Sequence, residues 1–327
     1  MNEFDLIAAL RARLPEGGPR VVLGSGDDAA VTSPGGVTAT SVDAIVDGVH
    51  FRRPQISPEA IGRRALATAL SDLAAMGADA GEAYIVLGVP EDLDEEGCLA
   101  LFAGAEALAA ETETALAGGD ITRSPVLFVA VTVVGHATDA ASLVTRGGAV
   151  EGDLVTVTGN LGGAAAGLLL LERPTPEGLP GQIAEQLIER QLSPRPRLAE
   201  GSALAASGAS AMIDISDGLG ADAAHIAAES AVGLDIDMSA VPLAPGLDDV
   251  AKALGEDLLE LAAGEGEDYE LLACLPEACL DGACEAVGAV GGALTVIGRC
   301  VAGGDGGVKL SGPSGRELRV RGFDHLP

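Results

Sequence analysis

Carboxylates recur along this chain in one local setting: an apolar run ends, an aspartate follows, and a glycine or another small residue stands close by. Asp27 and Asp28 sit so in GSGDDAAV, Asp43 in TATSVDAIVDGVHF, Asp72 in ALATALSDLAAMGADA, Asp120 in LAGGDITRSP, and Asp214 and Asp217 in AMIDISDGLG. An isolated carboxylate in apolar surroundings costs several kcal/mol unless it is protonated, hydrogen-bonded or bound to a cation. Strand and helix ends that each deliver one such group to a common point make a hard, oxygen-only site. Mg²⁺ suits it, because that ion prefers oxygen and keeps waters while bridging carboxylates to substrate phosphates. Ordinary uses compete at single positions: Asp27 or Asp28 as a turn residue, and Asp217 as the N-cap of a helix that starts after Gly218. Asp72 resists that explanation, since Leu66, Ala69, Leu70, Leu73 and Met76 surround it at helical spacing.

The formal net charge of −30 repels nucleic acid and anionic membranes, and no basic tract offers a local exception. Anionic substrates therefore need divalent cations and local arginines to reverse the field. Arg123 after GGDIT and Arg146 in TRGG are the candidates. Lysine is confined to Lys252 and Lys309 and no G-x-x-x-x-G-K-[ST] run exists, which excludes a P-loop enzyme. GNLGGAAAG, at 159–167, allows two readings: backbone N–H groups holding an anion at a helix start, or small residues permitting close helix packing. There is no His-Glu zinc motif and no G-x-S-x-G elbow, which argues against zinc proteases and α/β-hydrolases. Of the five cysteines, Cys274, Cys279 and Cys284 are evenly spaced with no histidine nearby, a pattern of core residues and free thiols rather than of a metal site.

These residues must be positioned by a core, and 327 residues of which 48% are apolar suffice for two domains of ordinary size. No apolar run is long enough to span a membrane, and MNEFDLIAALRARLPEGG lacks the basic start and apolar centre of a signal peptide; a cytoplasmic protein is expected. β-Branched runs and alanine-rich stretches predict a helix near 2–14, strands near 20–23, 28–33 and 37–46, and a helix near 58–77. A strand near 83–89, a helix near 95–113 and a strand near 126–136 follow. The second half opens with a strand at 151–159 running into a helix, then helices near 180–190 and 196–206, the strand 211–215 and a helix from about 219. Strands near 269–275 and 293–300 come late. Strands alternating with helices indicate α/β layers. The polar, turn-rich stretch 138–150 separates an expected domain at 1–138 from one at 149–327.

GDDAAV, the D-x6-HF of Asp43 to Phe51, LSDLAAMGA, GGDITRSP, VTGNLGGAAAGL, IDISDGL and GEDYELL follow one another in the order found in thiamine-monophosphate kinases. The chain resembles that family, of the aminoimidazole-ribonucleotide synthetase and selenophosphate synthetase superfamily, from about residue 3 to GFDHLP. The resemblance implies α/β domains with mixed sheets: an N-terminal domain that binds ATP and Mg²⁺ and pairs in a homodimer through a barrel-like interface, and a C-terminal α/β domain. It implies ATP-dependent phosphorylation of thiamine monophosphate to thiamine diphosphate, the last step in making that cofactor. Carried over by position, Asp27, Asp43, Asp72, Asp120, Asp214 and Asp217 resemble the Mg²⁺ ligands, with Ser41 adding an oxygen. Gly119, Asp120, Arg146 and Ser216 resemble nucleotide contacts; His50, Glu267 and Phe323 resemble substrate contacts, Phe323 as an aromatic packed on the thiamine. The chain departs from the pattern at Ile121, commonly threonine, at Phe102, often a tyrosine that meets the nucleotide, and at Phe323, frequently tryptophan. None of these removes a carboxylate.

The acceptor phosphate of thiamine monophosphate is already largely ionised near neutral pH, so its attack on phosphorus needs little help from a base. Direct in-line transfer with no covalent or general-base residue is therefore expected, the work being to align two anions and screen their repulsion. Two other readings compete: a different ATP-using member such as an aminoimidazole-ribonucleotide synthetase, and an acidic cation-binding protein without catalysis. ISDGL and GEDYELL favour the thiamine branch, and the chain has no D-x-D-x-D-G loop of the kind a cation buffer uses.

Overall fold

A computed structural model describes residues 3–13, 19–24, 29–303 and 307–318. The chain divides into two compact units, residues 1–73 with 78–140 and residues 74–77 with 141–327.

The first unit contains α1 (Glu3–Arg11), β1 (Val21–Leu23), β2 (Val31–Thr32) and β3 (Val37–Val46), then α2 (Pro58–Met76), β4 (Asp79–Val89), α3 (Glu95–Glu111), β5 (Ala115–Arg123) and β6 (Phe128–Ala137). A four-stranded sheet has the order β3-β6-β4-β5, antiparallel except for the parallel pair β4 and β5. The alternation in VTATSVDAIV and FVAVTVVGHA makes these strands two-faced. Val129, Val131 and Val133 are at most 1% exposed and point toward the helices. Leu66, Ala69, Leu70 and Leu73 of α2 are buried, each leucine contributing roughly 1.5–3 kcal/mol. Leu73 lies on the sheet at Gly135, and α2 meets α3 so closely that a Cβ on Gly62 would lie 1.8 Å from the Leu101 carbonyl oxygen. Among the described residues, the other face of the sheet is exposed along β3: Val42 is 68% exposed, with Thr38, Thr40 and Ala44 exposed beside it.

The sequence pattern predicts no strand at 115–123, where the structure has β5. Its glycines lower strand propensity, yet a Cβ at Gly119 would lie 1.9 Å from the Ile85 carbonyl oxygen, so the close approach to β4 requires glycine.

The second unit contains β7 (Leu154–Thr158), α4 (Gly163–Glu172), α5 (Gly181–Leu192), α6 (Leu198–Ala206), β8 (Ala211–Asp214) and α7 (Leu219–Ser230). It continues with β9 (Gly233–Asp237), α8 (Leu247–Leu254), α9 (Leu258–Gly264), β10 (Leu271–Leu275), α10 (Leu280–Ala289), β11 (Leu294–Val301), β12 (Val308–Ser311) and β13 (Glu317–Leu318). Its seven-stranded sheet has the order β13-β12-β9-β11-β7-β10-β8, with only β12 and β9 parallel. β7 and β10 are buried along their whole length and run as continuous apolar segments, as central strands covered on both faces do. All five cysteines are free, and Cys274 and Cys300 meet in the core with sulfurs 3.6 Å apart. Among the described residues, no helix is long and apolar enough to cross a membrane.

Candidate active site

In the first unit, β3 and α2 bring Ser41 and Asp72 together: Ser41 Oγ donates to Asp72 Oδ2. Asp43, two residues along β3, shares the face of Ser41, and its Oδ1 accepts from the Ala44 N–H at 2.7 Å. Both aspartates are half-buried on the helix-covered side of the sheet. Asp120 stands apart from them. Its β5 position pairs with Val86, whereas the row of Asp43 runs through Val131 and Ile85 to Gly119. Cross-strand partners share a face, so Asp120 projects from the open side of the sheet and Gly119 lies on the side of Asp43. Ile121 is half-buried at the position paired with Leu87, Arg123 is exposed at the end of β5, and Phe102 is half-buried on α3. Asp27, Asp28 and Phe323 lie outside the described residues.

His50 closes the turn after β3. Its Nδ1 accepts from the Val46 N–H at 3.1 Å and its carbonyl accepts from Arg64 at 3.2 Å. With Nδ1 accepting, the neutral ring carries its proton on Nε2, which makes Nε2 the donor.

In the second unit, two loops are joined by their backbones. The Glu267 N–H donates to the Ser216 carbonyl (2.8 Å), Tyr269 to Ile215 (2.9 Å), and Ile215 to Glu270 (2.7 Å). Such close approach needs an unusual backbone: Glu267 and Tyr269 have φ of 60° and 50°, and a Cβ on Gly266 would lie 2.2 Å from the Ser216 carbonyl oxygen. Left-handed non-glycine residues are strained and cluster at functional sites. The result sets Asp214, Ser216 and Asp217 beside the segment of Glu267. Arg146 stands at a bend just after Thr145, whose carbonyl accepts from the Met212 N–H of β8, and its side chain is exposed.

Asp217 does not cap α7; Gly218 holds that position and no side chain caps there. Instead Asp222, in the first turn of α7, accepts from the N–H groups of Ser216 (3.0 Å) and Asp217 (3.1 Å). Burial pushes its carboxyl up to about 8, reinforced by the charges of Asp214 and Asp217 and opposed by those two hydrogen bonds. At GNLGGAAAG the helix start holds the chain's own anion: Asp268 accepts from the Gly162 N–H at 2.7 Å and the Ala164 N–H at 3.1 Å. Burial raises Asp268 to about 6, against the pull of Arg190 and of those N–H groups. Next to it, Glu270 is fully buried and takes hydrogen bonds from Arg197 (2.5 Å) and Thr158 (2.7 Å). Asp222, Asp268 and Glu270 carry no local sequence signal of their role, because their partners come from other loops and helices.

Among the described residues, no group of three or more His, Cys, Asp or Glu is gathered tightly enough to chelate an ion. The donor chemistry nonetheless fits Mg²⁺. Every candidate ligand offers oxygen, and the charges of Asp214 and Asp217, which help to raise Asp222, make a negative field that a cation relieves.

Comparison with known proteins adds a second line. The family model for the N-terminal domain of AIR synthase related proteins matches residues 26–137, and that for the C-terminal domain matches residues 150–311. The chain is 37% identical over 327 residues to a thiamine-monophosphate kinase of Escherichia coli O157:H7, covering 99% of this chain and 98% of that one. The crystal structure of thiamine-monophosphate kinase from Stenotrophomonas maltophilia K279a superposes with a TM-score of 0.82 at 34% identity, covering 96% of each chain. AaThiL complexed with AMPPCP and TMP superposes with a TM-score of 0.77 at 32% identity, covering 88% of this chain and 87% of that one.

Proposed function

Since the chain belongs to the thiamine-monophosphate kinases, within the AIR-synthase-related family, we propose that it transfers the γ-phosphoryl group of ATP to the phosphate of thiamine monophosphate, giving thiamine diphosphate and ADP. The structural observation that supports this best is the strained pairing of IDISDG with GEDYE, which sets Asp214, Ser216, Asp217 and Glu267 side by side. The relative solved with AMPPCP and TMP supports the choice of both substrates.

The residues that would hold Mg²⁺ are Asp27, Ser41, Asp43 and Asp72 in the first unit, with Asp120 on the opposite face of its sheet, and Asp214 and Asp217 in the second unit. When bound, the ions neutralise phosphate charge and keep donor and acceptor in line. The side chains do the rest. Ser41 fixes the carboxylate of Asp72 through its hydroxyl. Asp222 holds the N–H groups of Ser216 and Asp217, so the Ser216 hydroxyl and the Asp217 carboxylate leave a rigid loop. Gly119 and Asp120 of β5, Arg146 and Ser216 contact the nucleotide. His50 Nε2 donates to thiamine monophosphate, while Glu267 and Phe323 contact its rings. No general base or covalent residue is required, and the phosphoryl group passes directly to the acceptor.

Residues 1–138 form the ATP- and Mg²⁺-binding half, residues 149–327 the C-terminal half, and the protein works in the cytoplasm. The exposed side chains of β3 and Asp120 of β5 on one face of this sheet support a homodimer: pairing two such faces covers Val42 and brings Asp120 of each copy to the interface. The test is to supply purified protein with ATP, Mg²⁺ and thiamine monophosphate and read thiamine diphosphate by thiochrome fluorescence. Product confirms the reading. A folded protein that makes none, yet turns over the substrate of aminoimidazole-ribonucleotide synthetase, would move it to that branch.

A further inference from the structure

The carboxylate of Glu267 has a side-chain partner that no sequence motif announces. Gln191, in the last turn of α5, donates from Nε2 to Glu267 Oε2 at 2.6 Å and is only 4% exposed. We propose that Gln191 is a positioning residue: it holds the Glu267 carboxylate in the orientation that receives the ring end of thiamine monophosphate. This rests on the reading of Glu267 as a substrate contact.

Three features of the fold give Gln191 this role. First, the backbone of Glu267 is already fixed, in the left-handed region and tied to the Ser216 carbonyl, so side-chain rotation is the freedom left to the carboxylate. Second, Gln191 sits on a helix end that is itself held. The neighbouring Arg190 donates to the Asn160 carbonyl at 2.7 Å and reaches Glu270 at 3.4 Å. Against the same turn, a Cβ on Gly167 would lie 2.1 Å from the Leu187 carbonyl oxygen and 2.9 Å from Gln191 Cβ, so α4 and α5 are in backbone contact there. Third, the donor is a neutral amide. An arginine or lysine at this place would orient Glu267 but also cancel its charge; an amide orients it and leaves the charge to meet the cationic, N–H-bearing rings of thiamine. Binding geometry set by a buried supporting hydrogen bond is lost when that bond is lost, even though the contacting residue is still present.

The experiment measures steady-state kinetics and thermal unfolding of wild type, Gln191→Leu, Gln191→Glu, Glu267→Gln and the double variant Gln191→Leu/Glu267→Gln. The expected result is a rise of about tenfold in the KM for thiamine monophosphate in Gln191→Leu, with the KM for ATP within about twofold and kcat within about threefold of wild type. In the Glu267→Gln background the same substitution should add less than about twofold, because the two residues act as one unit. Gln191→Glu sets two carboxylates against each other, which share a proton at low pH. Its KM for thiamine monophosphate should therefore exceed that of wild type by a larger factor at pH 8 than at pH 6, a dependence that loss of packing does not produce. The Glu267 reading itself fails, and the inference with it, if Glu267→Gln leaves that KM unchanged. The inference alone fails if Glu267→Gln raises it while Gln191→Leu and Gln191→Glu bind thiamine monophosphate as wild type does, or if the effects at the two positions multiply independently.

Discussion

The carboxyl of Asp222 is raised to about 8 by burial and by Asp214 and Asp217, against an unfolded value near 3.9. Between those values the native state keeps a proton that the unfolded state has released. Stability therefore falls as pH rises through that window, and the loss is complete above the folded value. Asp222→Asn keeps an oxygen for the Ser216 and Asp217 N–H groups and removes the titration. Measured by urea unfolding in EDTA, the variant's stability should depend less on pH than that of wild type from about pH 5 to pH 8; parallel curves would contradict the placement of this charge. For His50, whose Nδ1 is committed to Val46, Asn substitution should raise the KM for thiamine monophosphate about tenfold while that for ATP moves less. The reverse ranking would remove His50 from the substrate side. At this scale the aspartates were legible because a charge in an apolar run is conspicuous. Asp222 and Gln191 were not, since an aspartate in a first turn and a glutamine near a helix end are ordinary, and only tertiary contact gives them their partners.

Elements decide whether those side chains stay in place. The helix α2 that carries Asp72 packs on α3 through Gly62 and Gly104, with backbone carbonyls where Cβ atoms would otherwise stand. Gly62→Ala should cost about 1–3 kcal/mol by overpacking, seen as a lower Tm and less activity together; an unchanged Tm would mean the two helices separate easily. At the start of α4, Asp268→Ala removes the cap on Gly162 and Ala164 and should cost about 0.5–2 kcal/mol, measured by urea unfolding. The strands and helices with strong periodicity were readable: 37–46 is β3 as expected, and the helix near 58–77 is α2. β5 was not, because glycine suppresses the propensity signal and the strand exists through its pairing with β4. GNLGGAAAG allowed either an anion at the helix start or close helix packing, and both occur: Gly167 meets α5, and Asp268, about a hundred residues away, accepts from the helix start.

For the whole molecule, the net charge of −30 and the exposed face of β3 act against each other. Two copies meeting through that face bury Val42 and its neighbours but bring together strongly acidic chains. Sedimentation should show a dimer that tightens as salt is raised from low ionic strength, as screening shortens the repulsion, and Val42→Arg should shift it toward monomer. The alternation of strands and helices predicted α/β layers, and seven motifs in fixed order were enough to point to the family; which face of the sheet Asp120 takes depends on a pairing register that neither could supply. The proposal that these aspartates hold the Mg²⁺ that carries the phosphates is tested by measuring thiamine diphosphate formation against Mg²⁺ concentration for wild type and Asp72→Asn. Turnover in wild type should depend on Mg²⁺, and Asp72→Asn with the wild-type Tm should lose about 100-fold or more in kcat/KM. A folded Asp72→Asn enzyme that matches wild type within a few-fold at every Mg²⁺ concentration would contradict it.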